Sequence, residues 1–147
     1  MKKLLDILSF LIILTNVIVS LVFYFSTDMI AIPAHWRADG TMDSYGQTWM
    51  ILLLAGLSVV IYALMVWSEK HHAVNLPFKV KHEPEAIPYI DGMLAWTNFL
   101  AMLLLFYVDI AVAQYVPLFQ AIVYALILLI IIVGFYYTIK IYRCGRK

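Results

Sequence analysis

Apolar residues run along this chain in four long, nearly uninterrupted stretches, separated by shorter segments where polar, charged and turn-forming residues collect. Each stretch approaches the roughly 20 residues that an α-helix needs to cross a bilayer. The pattern predicts helices over about 4–25, 48–67, 92–113 and 118–139. Between the first two, residues 26–47 read as a polar loop. Between the second and third, residues 68–90 read as a linker, and its three prolines, Pro77, Pro84 and Pro88, argue against one continuous helix there. The short connection Gln114-Tyr115-Val116-Pro117 makes the last two helices antiparallel neighbours. The expected fold is an all-α, single four-helix membrane domain over 1–147.

Details at the helix ends refine this. The Lys2-Lys3 start followed by an apolar run has a signal-peptide character, but the run is too long for a signal core and no small-x-small cleavage site follows it. It is expected to be a retained helix. Ser44 with Gln47 three residues on has capping-box spacing and predicts the start of the second helix. Trp49 and Trp67 sit near that helix's ends, where interfacial aromatics collect.

Composition agrees with a bilayer as the solvent. Of the 147 residues 65% are hydrophobic and 13% charged, against roughly 45–50% and 25% in soluble domains. A net charge of +1 and the absence of a basic stripe interleaved with aromatics give no reason to expect a nucleic-acid partner. The single cysteine, Cys144, leaves no intramolecular disulfide and no cysteine-based zinc site.

The Lys and Arg fall very unevenly. With four crossings, both termini and the linker share one side and hold Lys2, Lys3, Lys70, Lys79, Lys81, Lys140, Arg143, Arg146 and Lys147, while the other side holds Arg37 alone. Cytoplasmic loops carry such an excess. Both termini are therefore expected in the cytoplasm and the 26–47 loop outside, with the tail Lys140–Lys147 resting on anionic lipid headgroups.

Candidate chemistry concentrates in the outward loop. His35, Asp39 and Asp43 are ordinary ligand types for divalent ions, and in a helix His35 and Asp39 would share a face. Gly40 directly follows Asp39, however, and Asp-Gly is a turn dipeptide. A turn at Asp39-Gly40, with Asp43 or Ser44 capping the next helix, outweighs a metal site. No nucleophile is paired with a base and no His-Glu-x-x-His is present, so no enzyme activity and no cofactor are expected. Within the runs, Asn16 and Asn98 read as interhelical hydrogen-bonding groups. Asp109, an ionisable group in a span, is a functional candidate; it is also placed to pair with Arg37 or to be held by Tyr115. His71, His72 and His82, with Glu83 and Glu85, read as a solvated juxtamembrane face.

The segment Ile32-Pro33-Ala34-His35-Trp36, followed by Asp39-Gly40 and Asp43-Ser44-Tyr45-Gly46, resembles the Ile-Pro-x-His-aromatic signature of bacterial membrane proteins grouped as domain-of-unknown-function family 1648. That unit also occurs in the larger SdpI-type proteins, which give immunity to a secreted toxin and relay its presence to a repressor. Asn75-Leu76-Pro77-Phe78-Lys79-Val80 is similar to a stretch that follows the second helix there. The likeness covers roughly the first 80 residues and departs at Gln47, where a lysine is common, and between His82 and Asp91. It implies an inner-membrane protein with a recognition loop in which His35, Trp36, Asp39, Asp43 and Tyr45 contact a peptide, protein or envelope ligand, and Pro33, Gly40 and Gly46 shape the backbone. A small oligomeric transporter or channel using Asn16, Asn98 and Asp109 is the rival reading, and an accessory subunit of a membrane complex is another.

Overall fold

A computed structural model describes residues 1–80 and 83–144, with the side chain of Glu83 also left out. Its elements are α1 (Lys2–Ser26), β1 (Ala31–Trp36), β2 (Met42–Gln47), α2 (Met50–His71), α3 (Glu83–Val112) and α4 (Gln120–Cys144). All four helices are long and apolar enough to cross a membrane. A helix of 25 residues such as α1 is about 37 Å long at 1.5 Å per residue.

The third helix is the hub. It packs against α1, α2 and α4, and α1 also packs against α2, whereas the extensive helix contact of α4 is with α3. That asymmetry follows from side-chain size and polarity. At Gly92 the α3 backbone approaches α4 so closely that an added Cβ would stand 2.8 Å from the Tyr137 ring. The buried groups of α1 recur along one face as Leu5, Ser9, Ile13, Asn16, Ser20 and Phe23, a three- and four-residue alternation that gives a helix one inward seam. In α4 only Leu126 and Ile141 are buried, so nearly its whole apolar surface faces outward.

Three sequence expectations are corrected. The 26–47 segment is an antiparallel two-stranded hairpin, not a loop. Ser44 and Gln47 lie in β2, so neither caps α2, which starts after Trp49 with no side-chain cap. The third helix begins at Glu83, well before Asp91. Pro84 is compatible with this because a first-turn residue has no intrahelical acceptor for its N–H, and Pro88, which leaves the Pro84 carbonyl without its donor and crowds it, is accommodated inside the helix one turn later.

Both tight helix ends use a left-handed residue that is not glycine. His72 (φ 50°) ends α2 and Gln114 (φ 61°) ends α3. In each, the following amide reaches back five residues, Ala73 to Ser68 (2.9 Å) and Tyr115 to Ile110 (3.0 Å), which satisfies carbonyls the helix leaves open. After α2 the linker folds back. Val74, Leu76, Phe78 and Val80 pack on a cluster of Ala86, Ile90, Leu94 and Ile141, leaving a cavity of about 600 Å³ there.

Candidate functional site

The hairpin turns at Asp39-Gly40, as the dipeptide predicts. Asp39 Oδ1 accepts from the Thr41 amide (2.9 Å) and the Thr41 hydroxyl (2.6 Å), and Gly40 takes φ +84°, a left-handed value that suits a residue without a Cβ. These bonds, the hydroxyl's first, hold the Asp39 carboxyl below the usual carboxylate range. Asp39 is thereby spent on the turn and does not join the other candidate residues.

The strands pair irregularly, and the irregularity makes the site. Pro33 opposes Tyr45 and His35 opposes Ser44, while Trp36 opposes Met42. One residue is thus extra on each strand: Ala34 on β1 and Asp43 on β2. A bulge re-aims the side chain it carries. Here Asp43 Oδ1 lies 2.5 Å from His35 Nδ1, and Asp43 Oδ2 accepts from Arg37 Nε at 3.2 Å. Hydrogen bonding from His35, then from Arg37, keeps the Asp43 carboxyl below its ordinary range. The His35 and Arg37 side chains are 66% and 67% exposed. With Nδ1 held by the carboxylate, the Nε2 edge of the imidazole is left for a partner.

The hairpin is seated on the helices through its other face. Ile32 is fully buried among Phe23, Ile51, Val112 and Ala113, with Trp36 packed against the same cluster. Pro33 and Trp36 also line a cleft of about 260 Å³ over the α3–α4 turn. Two bonds fasten the edges: Thr48 Oγ1 donates to the Met29 carbonyl and Gln120 Nε2 donates to the Arg37 carbonyl; within the turn the Arg37 amide donates to Thr41 O at 2.8 Å. Gly46 lets β2 lie close to β1: an added Cβ would stand 3.1 Å from Ala34 Cβ and would push the flexible Met50 side chain aside. Tyr45 is 65% exposed.

Of the residues singled out by sequence, then, His35 and Asp43 meet, Tyr45 is exposed opposite Pro33, Trp36 turns inward as packing, and Asp39, Gly40, Pro33 and Gly46 shape the backbone. The helical His35/Asp39 metal pairing does not form. Among the described residues no three His, Cys, Asp or Glu side chains cluster as metal ligands.

The intramembrane candidates are all buried. Asn16 Nδ2 donates to Asp109 Oδ2 at 2.6 Å, and Asn98 Nδ2 donates to Glu69 Oε1 at 3.2 Å. The pairing of Asp109 with Arg37 or Tyr115 is corrected: Arg37 serves Asp43, and the Tyr115 ring sits edge-on to Phe23. Two functional-looking residues escaped the sequence reading. Glu69 is 8% exposed although it sits near the end of α2. Asp91 joins three helices, with Lys2 Nζ at 3.3 Å and His72 Nδ1 at 2.6 Å. His71 stacks on Trp67, so the histidines do not form one face, and His82 lies outside the described residues, as do Arg146 and Lys147 of the basic tail.

Comparison with protein-family models, with curated proteins and with solved structures finds no match.

Proposed function

We propose that this is a multi-pass protein of the bacterial cytoplasmic membrane, with both termini inside, whose outward hairpin recognises a peptide, a partner protein or a component of the cell envelope. The observation that carries this reading is the His35–Asp43–Arg37 arrangement. A carboxylate fixes an imidazole and a guanidinium on the exposed face of a hairpin whose opposite face is anchored by Ile32. Preorganised polar groups of this kind lose little freedom on binding. The outward chemistry suits a ligand bearing carboxylate or amide groups, and the exposed Tyr45 ring of the same hairpin offers an aromatic contact. Toxin immunity or envelope sensing of the SdpI type, which the resemblance implies, is the concrete form of the proposal, and homo-oligomerisation through the outward faces of α2 and α4 is compatible with it.

Photo-crosslinking from position 45 in native membranes tests this. A peptide or protein adduct that disappears in a His35→Ala, Arg37→Ala variant of equal expression supports recognition by the hairpin. Adducts unchanged by that variant would leave the hairpin as a lid on the bundle and end the proposal.

A further inference from the structure

The seam between α1 and α3 contains a second polar centre, beneath the hairpin and separate from the surface just described. Asn16 and Asp109 are 1% and 2% exposed, and Ser20, one helical turn from Asn16 on the same face, is 0% exposed. Asn16 Oδ1 and Ser20 Oγ find no hydrogen-bond partner among the described residues. This departs from the pattern of the other buried serines: Ser9 and Ser58 each donate to the carbonyl four residues back, at 2.8 and 2.9 Å. Buried polar atoms are nearly always partnered, so two open oxygens on one face beside a carboxylate call for an occupant.

We propose that Asn16, Ser20 and Asp109 form a binding site for a small monovalent cation, sodium or a proton, inside the bundle. The charge count selects the class. The site holds one carboxylate, so a single positive charge balances it and a divalent ion would not be balanced. Among the described residues no Lys, Arg or His forms an ion pair with Asp109. Arg37 is committed to Asp43, and α4 carries no charged residue from Gln120 to Ile139. From α1, Asn16 donates to Asp109 and Ser20 lies one turn further along the same buried face; the buried side chains of α2 before Glu69 are Ile51, Ala55 and Ser58, none of them charged, and the strand β1 buries Ile32. The other buried acidic layer, Glu69 with Asp6 and Lys2 in electrostatic reach, is distant: Asp6 precedes Asn16 by ten residues, about 15 Å along a helix. The donors are hard oxygens, which suit sodium as well as a proton.

The hairpin closes this site. Phe23, Ile32, Ile51, Val112 and Ala113 form a packed apolar layer immediately on the hairpin side of Asn16 and Asp109. On the other side lie buried Ile13 and Met102, about one and two turns below. A cation therefore reaches Asp109 only when one of these layers moves, and Ile32 is the part of the nearer layer that belongs to the hairpin.

The test uses the purified full-length protein in detergent, following thermal unfolding by tryptophan fluorescence. One arm titrates sodium against choline at constant ionic strength and pH. The other varies pH in choline alone and records the carboxylic-acid carbonyl band by infrared difference spectroscopy. A saturable sodium-dependent rise in Tm that is lost in Asp109→Asn supports a sodium site. No sodium response, with a pH-dependent carboxylic-acid band missing from Asp109→Asn, supports a proton site. If wild type and Asp109→Asn respond alike in both arms, the proposal is overturned. Should Asp109→Asn fail to fold, Ser20→Ala removes an oxygen and no hydrogen bond, and must raise the half-saturating sodium concentration several-fold or shift the midpoint of the band; an unchanged response overturns it.

Discussion

Asn16 and Asp109, 93 positions apart in sequence, meet at 2.6 Å in the interior of the bundle and fix the register of α1 against α3. Interhelical bonds of this kind are worth about 0.6–2 kcal/mol in membrane proteins. Replacing Asn16 by Leu should lower stability by that order, because it leaves the carboxyl without its donor. Asp109→Asn keeps an acceptor for the same amide and should cost less. Reversible unfolding in mixed micelles measures both. Equal losses in the two variants would show that the contact does not set the register.

The hairpin should loosen in acid. Asp43 and Asp39 both have folded-state pKa values below their ordinary range. A depressed carboxyl contributes stability that is fully present above its unfolded value, about 3.9, and is lost as pH falls through the folded value. Amide protection at residues 36–43, corrected for the intrinsic pH dependence of exchange, should therefore be steady near neutral pH and fall below about pH 4. Asp43→Asn should remove part of that acid transition while leaving exchange in α1 and α3 unchanged. Acid sensitivity retained in full by an Asp39→Asn, Asp43→Asn double variant would contradict this account.

Asp91 should matter more than a surface acid. It receives Lys2 from the start of α1 and His72 from the end of α2, so one side chain ties three helices at the linker end. At 21% exposure its bonds are partly shielded from water, and hydrogen bonds to charged groups contribute about 1.5–3 kcal/mol. Asp91→Ala should destabilise within that range. Lys2→Ala, which removes the longer contact, should cost less, and His72→Ala should fall between. Double-mutant cycles between positions 72 and 91 separate the pair's coupling from the loss of either group.

The four helices were legible because unbroken apolar length is a direct consequence of the solvent they face. The hairpin was not, although the signal was present: Asp39-Gly40 flanked by short β-compatible runs marks a two-stranded turn as well as a loop. What concealed it was Ser44 and Gln47, whose spacing imitates a helix cap. The meeting of His35 with Asp43 depends on the bulge at Asp43, and no residue type announces that bulge. Asn16, Asn98 and Asp109 were visible as polar residues in apolar runs. Their partners were not, because partner choice depends on helix rotation, which the weakly amphipathic α2, α3 and α4 do not encode. Glu69 and Asp91 were hidden by position. Charged residues near the end of an apolar run look like the beginning of a linker, whereas here each turns inward.

The proposed orientation makes a prediction that uses the chain's single cysteine. Nine of the ten Lys and Arg lie with the termini and linker and one, Arg37, lies on the hairpin, a bias that retains the basic segments in the cytoplasm. A thiol at the hairpin tip should then react with a membrane-impermeant maleimide on intact spheroplasts, and Cys144 should not. Ala38 suits the first purpose, being exposed and outside both strands. In an Ala38→Cys, Cys144→Ser protein, labelling should be complete without permeabilisation. In wild type, Cys144 is half-buried beside Lys140 and Arg143 at the far end of α4, so labelling should require both permeabilisation and time. The reverse pattern would place His35, Arg37 and Tyr45 in the cytoplasm. An envelope ligand would then be excluded, and a cytoplasmic partner would have to take its place.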